Sequence, residues 1–209
     1  MVRLIILLSL FCLPFSAHAH QPDLSSTILA EKAENEWVLQ VRAALTAFEY
    51  EVETRYGESA YATPEEFREL VAEYLRKELL VQFNGNEATI LEDGVVNLGH
   101  ETTVTFRLSS PPTGIQSVIL SNTGFRHIAR NQSAFYIAKA DLAKTQVMLN
   151  SDNGYTANLQ IENGQFVLVR PTDIFLPLLL LVVALVTLGL VYRTYARKQT
   201  NIHLISTLN

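Results

Sequence analysis

Cysteine is almost missing from this chain of 209 residues, which contains Cys12 and no other. Cys12 lies in an N-terminal apolar run that we expect to be removed, so the remaining chain would have no thiol. This excludes a disulfide framework, a thiolate metal site and a cysteine nucleophile. A domain without disulfides has to be stabilised by its hydrophobic core.

Positive charge is also scarce. Between His20 and Thr172 there are 12 lysines and arginines and 20 aspartates and glutamates, a net charge of −8. Such a charge repels phosphate and excludes nucleic-acid binding through bulk charge. Only one apolar run is long enough to cross a bilayer, which excludes a transporter with many spans.

Sequence motifs for catalysis are lacking too. The chain has no G-x-S-x-G, no glycine-rich phosphate loop and no H-E-x-x-H, since His100-Glu101 is followed by Thr102-Thr103-Val104. We therefore expect a protein that is not an enzyme. A hydrolase with catalytic residues scattered through the fold is the alternative, because such a site leaves no local motif.

The first nineteen residues have the pattern of a secretory signal. Arg3 precedes an apolar run over residues 4–13, and Ala17-His18-Ala19 supplies the small residues that signal peptidase requires. This predicts a signal peptide over 1–19, with His20 as the first residue after cleavage. The alternative is an uncleaved anchor, but the run is too short to cross about 30 Å of hydrocarbon.

A second apolar run lies near the C-terminus. Its eighteen residues, Ile174–Val191, span about 27 Å as a helix. Three cations follow, Arg193, Arg197 and Lys198, which favours a cytoplasmic location for this end. We predict an exported domain over 20–170, a transmembrane helix over 172–192 and a cytoplasmic tail over 193–209. The chain would be a single-pass protein of the cell membrane, with a periplasmic domain in a Gram-negative cell. A removed sorting or lipid-anchor tail is the alternative.

Within the predicted exported domain, the clearest local signal is a helix start. Thr63, Pro64 and Glu66 form a capping-box pattern, and apolar residues then recur at helical spacing. This predicts an amphipathic helix over Pro64–Glu78. The stretch 46–56 is ambiguous, although apolar residues spaced by four favour a short helix.

Short runs of β-forming residues separated by turn signals fill most of the remaining domain. Asn84-Gly85-Asn86 predicts a hairpin turn, and Glu92-Asp93 is assigned to a turn. The pattern predicts a mainly β, β-sandwich-like domain with one inserted amphipathic helix. The predicted strands are 26–30, 37–45, 80–83, 87–91, 102–108, 116–120, 134–138, 146–149, 155–161 and 165–169.

Three histidines, His20, His100 and His127, are candidate metal ligands. An N-terminal His20 would offer its amine and its Nδ1 to one metal ion, a chelate that suits Cu(II). A third nitrogen would come from His100 or His127, and the net negative charge favours cations. The alternative is that His20 only accommodates the signal peptidase. No cofactor is required for the fold, and copper is the candidate metal.

Three stretches, His20–Thr27, Leu80–Gly85 and Leu98–Glu101, resemble the exported domain that precedes the membrane bundle of HupE/UreJ-like bacterial proteins. Related single-span proteins have a similar domain. The resemblance covers residues 20–170. The nickel, hydrogenase and urease accessory roles of that family are associated with its membrane bundle. The membrane bundle itself is missing here, since only one span is predicted.

Together these patterns predict a membrane-anchored, exported binding or accessory module. Its expected partners are the lipid bilayer, through one helix, and an envelope protein, but no nucleic acid. The alternative function is a copper- or nickel-binding or delivery protein that uses His20.

Overall fold

Residues 24–169 and 183–188 are the part of the chain that this computed structural model describes. The chain divides into two compact units, Met1–Val169 and Arg170–Asn209. The predicted signal peptide, His20 and the predicted tail lie outside the described residues, as does the predicted span except for 183–188. Those six residues are helical. None of the helices in the described ranges is both long and apolar enough to cross a membrane.

The first unit is mainly β, as predicted, and its strands form two sheets. The six-stranded sheet has the order β4-β5-β2-β1-β7-β8, and the four-stranded sheet has the order β10-β9-β6-β3. The strands are β1 (Leu24–Ala33), β2 (Glu36–Ala44), β3 (Leu79–Phe83), β4 (Leu91–Asn97), β5 (Glu101–Leu108), β6 (Ser117–Asn122), β7 (Gln132–Ala138), β8 (Thr145–Leu149), β9 (Thr156–Glu162) and β10 (Gln165–Leu168). The mainly β composition is confirmed, and the two sheets are consistent with the predicted β-sandwich-like fold.

One strand pair sets the topology of the larger sheet. Strand β1 pairs antiparallel with β2 but parallel with β7, where Leu24 lies opposite Gln132. All other named strand pairs in the two sheets are antiparallel. As a result, the start of β1 lies between the end of β2 and the start of β7.

The domain contains two long helices, α1 (Leu45–Tyr56) and α2 (Pro64–Glu78), where the predicted fold had one. The predicted bounds of α2 and its capping box are both confirmed, with Thr63 Oγ1 accepting from the Glu66 amide at 3.2 Å. Helix α1 corresponds to the stretch 46–56, for which the sequence favoured a short helix without deciding it. It starts directly after β2 without a side-chain cap, so no N-terminal signal marked it in the sequence.

The hydrophobic core lies between the two sheets and under the helices. Alternate residues of β2 are buried, beginning with Trp37, and the Trp37 ring packs edge-on against Phe83 of the other sheet, with centroids 5.4 Å apart. Phe48 of α1 packs in the same way against Phe125, at 5.0 Å. One continuous cluster of buried side chains therefore joins both sheets and both helices.

The turn predicted at Asn84-Gly85 is confirmed, but the return strand predicted over 87–91 is wrong. Strand β3 pairs with β6, and the chain after the turn meets β3 through an isolated antiparallel bridge between Gln82 and Ala88 and a hydrogen bond from the Thr89 amide to the Val81 carbonyl. The assignment of Glu92-Asp93 to a turn is also wrong, since both lie in β4. Asp93 and Gly94 have positive φ angles and form a bulge there, so turn-forming residues occupy a strand.

A substitution at Val71 tests whether the row of apolar residues along α2, its apolar stripe, belongs to the core. Its side chain is fully buried, so Val71→Asp places an unpaired carboxylate in the core at a cost of several kcal/mol. This is comparable with the total stability of a domain, about 5–15 kcal/mol. We expect thermal melting followed by circular dichroism to show an unfolded domain. Glu69→Asp, at an exposed position of the same helix, should melt like the wild type. Equal melting of both variants would place the stripe outside the core.

Candidate functional site

A buried carboxylate on α1 is the most unusual side chain of the described domain. Glu51 is fully buried, on the helix face that also buries Ala47, Phe48 and Val52. Burying an ionisable group away from water is expensive unless hydrogen bonds replace its hydration. Glu51 therefore needs hydrogen-bond donors from the residues that surround it.

Both oxygens of Glu51 are hydrogen-bonded. Oε2 accepts from the Tyr74 hydroxyl at 2.9 Å and lies 2.7 Å from Nδ1 of His127, while Oε1 accepts from the His127 backbone amide at 3.2 Å. With the carboxylate accepting, the proton of a neutral His127 ring lies on Nδ1 and the lone pair on Nε2. The His127 side chain is 44% exposed, so the edge of the ring away from Glu51 reaches solvent.

The phenol of Tyr74 is held in its neutral form. Burial raises the pKa of Tyr74 well above its ordinary value of 10.0, and the Glu51 carboxylate raises it further. The same hydroxyl lies 2.9 Å from the carbonyl oxygen of Gly124. A Cβ at Gly124 would lie 2.8 Å from Leu75 of α2, so glycine permits this close approach of the loop backbone to the helix.

The polar network continues through the core to the larger sheet. Asn122 Oδ1 accepts from the Gly124 amide at 3.0 Å, and Asn122 Nδ2 donates to Thr27 Oγ1 at 2.8 Å. The Thr27 hydroxyl lies 3.0 Å from that of Ser133. Hydrogen bonds therefore link α1 and α2, through the loop after β6, to β1 and β7.

The loop between β6 and β7, residues 123–131, is held by a second carboxylate. Glu78, at the end of α2, accepts from the Thr123 hydroxyl at 2.5 Å and forms an ion pair with Arg126 at 3.2 Å. Phe125 of the loop is buried against Phe48. His127 is thus carried by a loop that is fixed on both of its neighbouring helices.

An open cavity of about 400 Å³ lies beside His127. Its walls are mostly apolar, and the half-exposed ring of Tyr50 stands at its edge. The lining residues are Thr46, Ala47, Tyr50, His127, Ile128 and Ala129. We refer to these six residues as the His127 pocket.

The topology brings the surroundings of His100 and His127, and the start of β1, to one end of the larger sheet. Ala44 lies opposite Glu101, which follows His100, and Leu24 lies opposite Gln132, five residues after His127. The carbonyl oxygen of His100 accepts from the Leu45 amide at 3.1 Å, at the start of α1. Within 24–169 and 183–188, no group of three histidines, cysteines or acidic residues is placed to hold a metal ion.

Sequence reasoning identified His127 but missed Glu51 and Tyr74, which determine how His127 is held. Neither residue belongs to a recognisable motif. One signal was present: Glu51 follows Ala47 and Phe48 and precedes Val52, so a helix that buries these apolar residues must also bury the carboxylate.

No protein-family model matches this chain, and no curated protein shows significant similarity to it. The resemblance to the exported domain of HupE/UreJ-like proteins therefore stays a prediction. Function has to be argued from the chemistry of the site rather than from relatives.

The raised pKa of Tyr74 gives a prediction about pH. The unfolded chain can ionise this tyrosine near pH 10, whereas the folded domain keeps it protonated, so the stability that it contributes is present below pH 10 and lost as pH rises further. At pH 8, we expect Tyr74→Phe to lower the free energy of unfolding by about 1–3 kcal/mol.

Urea denaturation between pH 8 and 11 measures this effect. The difference between wild type and Tyr74→Phe should shrink above pH 10. Tyr136→Phe, at an exposed position, controls for the loss of one tyrosine. A difference that stays constant across the range would contradict the stated role of Tyr74.

Proposed function

We propose that residues 20–170 form a binding or accessory domain for an envelope protein, and that the His127 pocket is its recognition site. The domain would be exported by the signal at 1–19 and anchored in the cell membrane by the helix at 172–192. The observation that carries the proposal is the buried Glu51, whose hydrogen bonds hold His127 at the edge of an apolar cavity.

The pocket has the composition of a ligand site. Recognition sites combine apolar walls with a few polar groups that orient the ligand. Here Ala47, Ile128 and Ala129 supply apolar wall, while His127 and Thr46 supply polar groups. Because the loop is already fixed by Glu51 and Glu78, little conformational entropy would be lost when a partner binds.

A second cavity of similar size is a weaker candidate for the recognition site. It lies between the turn after β3 and the loop after β5, and Glu87 is the one ionisable residue in its lining. None of its lining side chains belongs to a buried polar network like that of Glu51. The His127 pocket is therefore the better candidate for specific recognition.

The orientation of the strands places the His127 pocket away from the point where the chain leaves the described domain. Strand β6 begins at Ser117, near the end of β10 at Leu168, and ends at Asn122, which opens the loop that carries His127. The chain leaves the described domain after Val169. The pocket thus lies at the end of the domain opposite to this exit.

An enzymatic function is not favoured. Glu51 and His127 would be the orienting acid and the base of a catalytic triad, and the hydroxyl groups of Thr46 and Tyr50 line the same pocket. However, no hydrogen bond in the described part of the chain joins His127 to either hydroxyl. The proposal therefore treats the pair as a recognition element.

Photo-crosslinking in cells tests the recognition site. A photoreactive aromatic residue replaces Tyr50, which is 50% exposed, and in a control it replaces Gln160, an exposed position of β9. We expect discrete adducts from position 50 only. His127→Ala should reduce their yield several-fold, as for the loss of a contact worth about 1 kcal/mol. Equal adducts at both positions, or adducts unaffected by His127→Ala, would contradict this site.

A metal-binding function is the second candidate, and the topology of the larger sheet favours it. The strands β1, β5 and β7 all begin at the same end of the sheet. His20 precedes the first of these strands by four residues, His100 directly precedes the second, and His127 precedes the third by five. Nitrogen ligands from an amine and imidazoles suit Cu(II) or Ni(II).

One inserted residue tests this second function. A glycine placed before His20 moves the terminal amine away from the imidazole but keeps every histidine. In calorimetric titration with Cu(II), and in parallel with Ni(II), we expect binding at least about tenfold weaker, or 1.4 kcal/mol. Identical binding curves would show that His20 does not chelate through its amine.

A further inference from the structure

We propose that the domain forms a symmetric dimer, in which the six-stranded sheet packs face to face on the same sheet of a second copy of this chain. The contact is made by the side of the sheet that is turned away from the core, which we call the outer face. The inference goes beyond the proposed recognition site and does not depend on it, because the His127 pocket is formed by α1 and the loop between β6 and β7.

The alternation of buried residues shows which side chains form the outer face. In β1, Thr27 and Leu29 are buried, so Ile28 between them points outwards. Tyr136 of β7 points outwards in the same way and lies opposite Ile28 in the register. Both helices and the smaller sheet contribute to the core on the opposite side, so the outer face is available to another molecule.

Large apolar side chains of the outer face are exposed to solvent. They are Leu24 on β1, Val95 on β4, Tyr136 on β7 and Met148 on β8. The smaller sheet differs, because the outward side chains of β9 include Asn158, Gln160 and Glu162. Exposed apolar side chains that are grouped on one surface mark an interaction site, whereas single ones do not. The outer face therefore has the composition of an interface.

The charge pattern of the outer face favours a second copy as its partner. From Leu24 to Ala30 in β1, and throughout β7 and β8, every outward side chain is uncharged. The outward arginines of β2 and β5 are paired within the chain, Arg42 with Glu101 at 3.6 Å and Arg107 with Glu92 at 3.2 Å. Domains with a net charge of −8 repel one another, so two copies can meet with least repulsion on a surface of this kind. A strongly charged partner would find no opposite charge there.

The size and the twist of the outer face also suit a dimer. Six strands of five to ten residues cover about 29 Å by about 26 Å, or about 750 Å². A stable interface buries about 800 Å² on each partner. Two copies have the same twist, and sheets of equal twist stack at about 30° to each other with interdigitating side chains. A two-fold axis places the same surface on both copies, as in most symmetric dimers.

The test uses the full chain, purified in detergent, and measures its self-association by sedimentation equilibrium. Tyr136→Glu and Met148→Glu each place a carboxylate on the outer face, at positions that are 38% and 40% exposed and should tolerate it. Asn158→Glu is the matched control, since it adds the same charge at an exposed position of the smaller sheet. Thermal melting verifies that each variant is folded.

We expect the wild type and Asn158→Glu to form dimers of equal affinity. Each outer-face variant would bury an unpaired carboxylate against the second copy, and should weaken the dimer at least about 100-fold. A dimer formed through the predicted transmembrane helix alone would not respond to either variant.

Photo-crosslinking in cells identifies the molecule that covers the outer face. A photoreactive aromatic residue replaces Tyr136, and in a control it replaces Gln160 of the smaller sheet. We expect position 136 to give an adduct with twice the mass of the chain, in which mass spectrometry finds only peptides of this protein. Position 160 should give no such adduct.

Three results would overturn the inference. The first is a wild type that stays monomeric at the highest concentration tested. The second is equal association of the wild type and all three folded variants, which would place any dimer contact elsewhere. The third is an adduct of position 136 with lipid or with a different protein, which would give the outer face another occupant. None of these results bears on the His127 pocket, whose own crosslinking test uses position 50.

Discussion

A carboxylate without exposed surface, Glu51, has to be matched by hydrogen-bond donors, because leaving one partner of a buried charge unpaired costs about 3–5 kcal/mol. Its donors come from α2, through Tyr74, and from the loop before β7, through the side chain and backbone of His127. Helix α1, helix α2 and this loop therefore have to fold together. The position of the His127 ring follows from this constraint, and the shape of the cavity beside it depends on the same loop.

The parallel pairing of β1 with β7 is the second feature on which the arrangement of the candidate site depends. In a sheet of antiparallel neighbours, a strand starts where its neighbour ends. Since β1 and β7 run in the same direction, the first described strand instead begins beside the loop that carries His127. The start of β1 and the candidate site are thereby brought to the same end of the sheet.

Local signals account well for the elements that were predicted correctly. The capping box of α2 involves residues three positions apart, and its bounds agree with the prediction. Strand β4 was missed because Glu92-Asp93-Gly94, in its first half, have turn propensity. Its irregular backbone is stabilised from outside, by Arg76 of α2, which donates to the carbonyl oxygens of Leu91 and Asp93 and stacks on Phe106. Such support from another element leaves no trace in the sequence around β4.

The sequence by itself determined that the described domain would be mainly β, that α2 would begin at Pro64, and that no thiol would contribute outside the first nineteen residues. It also singled out His127 as a candidate, without its partners. Only the tertiary structure decided that Glu51 is buried, that Tyr74 and His127 meet on it, and that β1 pairs with β7. The physical reason is distance along the chain. A helix cap depends on neighbours a few positions away, whereas the hydrogen bond of Thr27 with Ser133 joins residues 106 positions apart, and such contacts form only when the whole core is assembled.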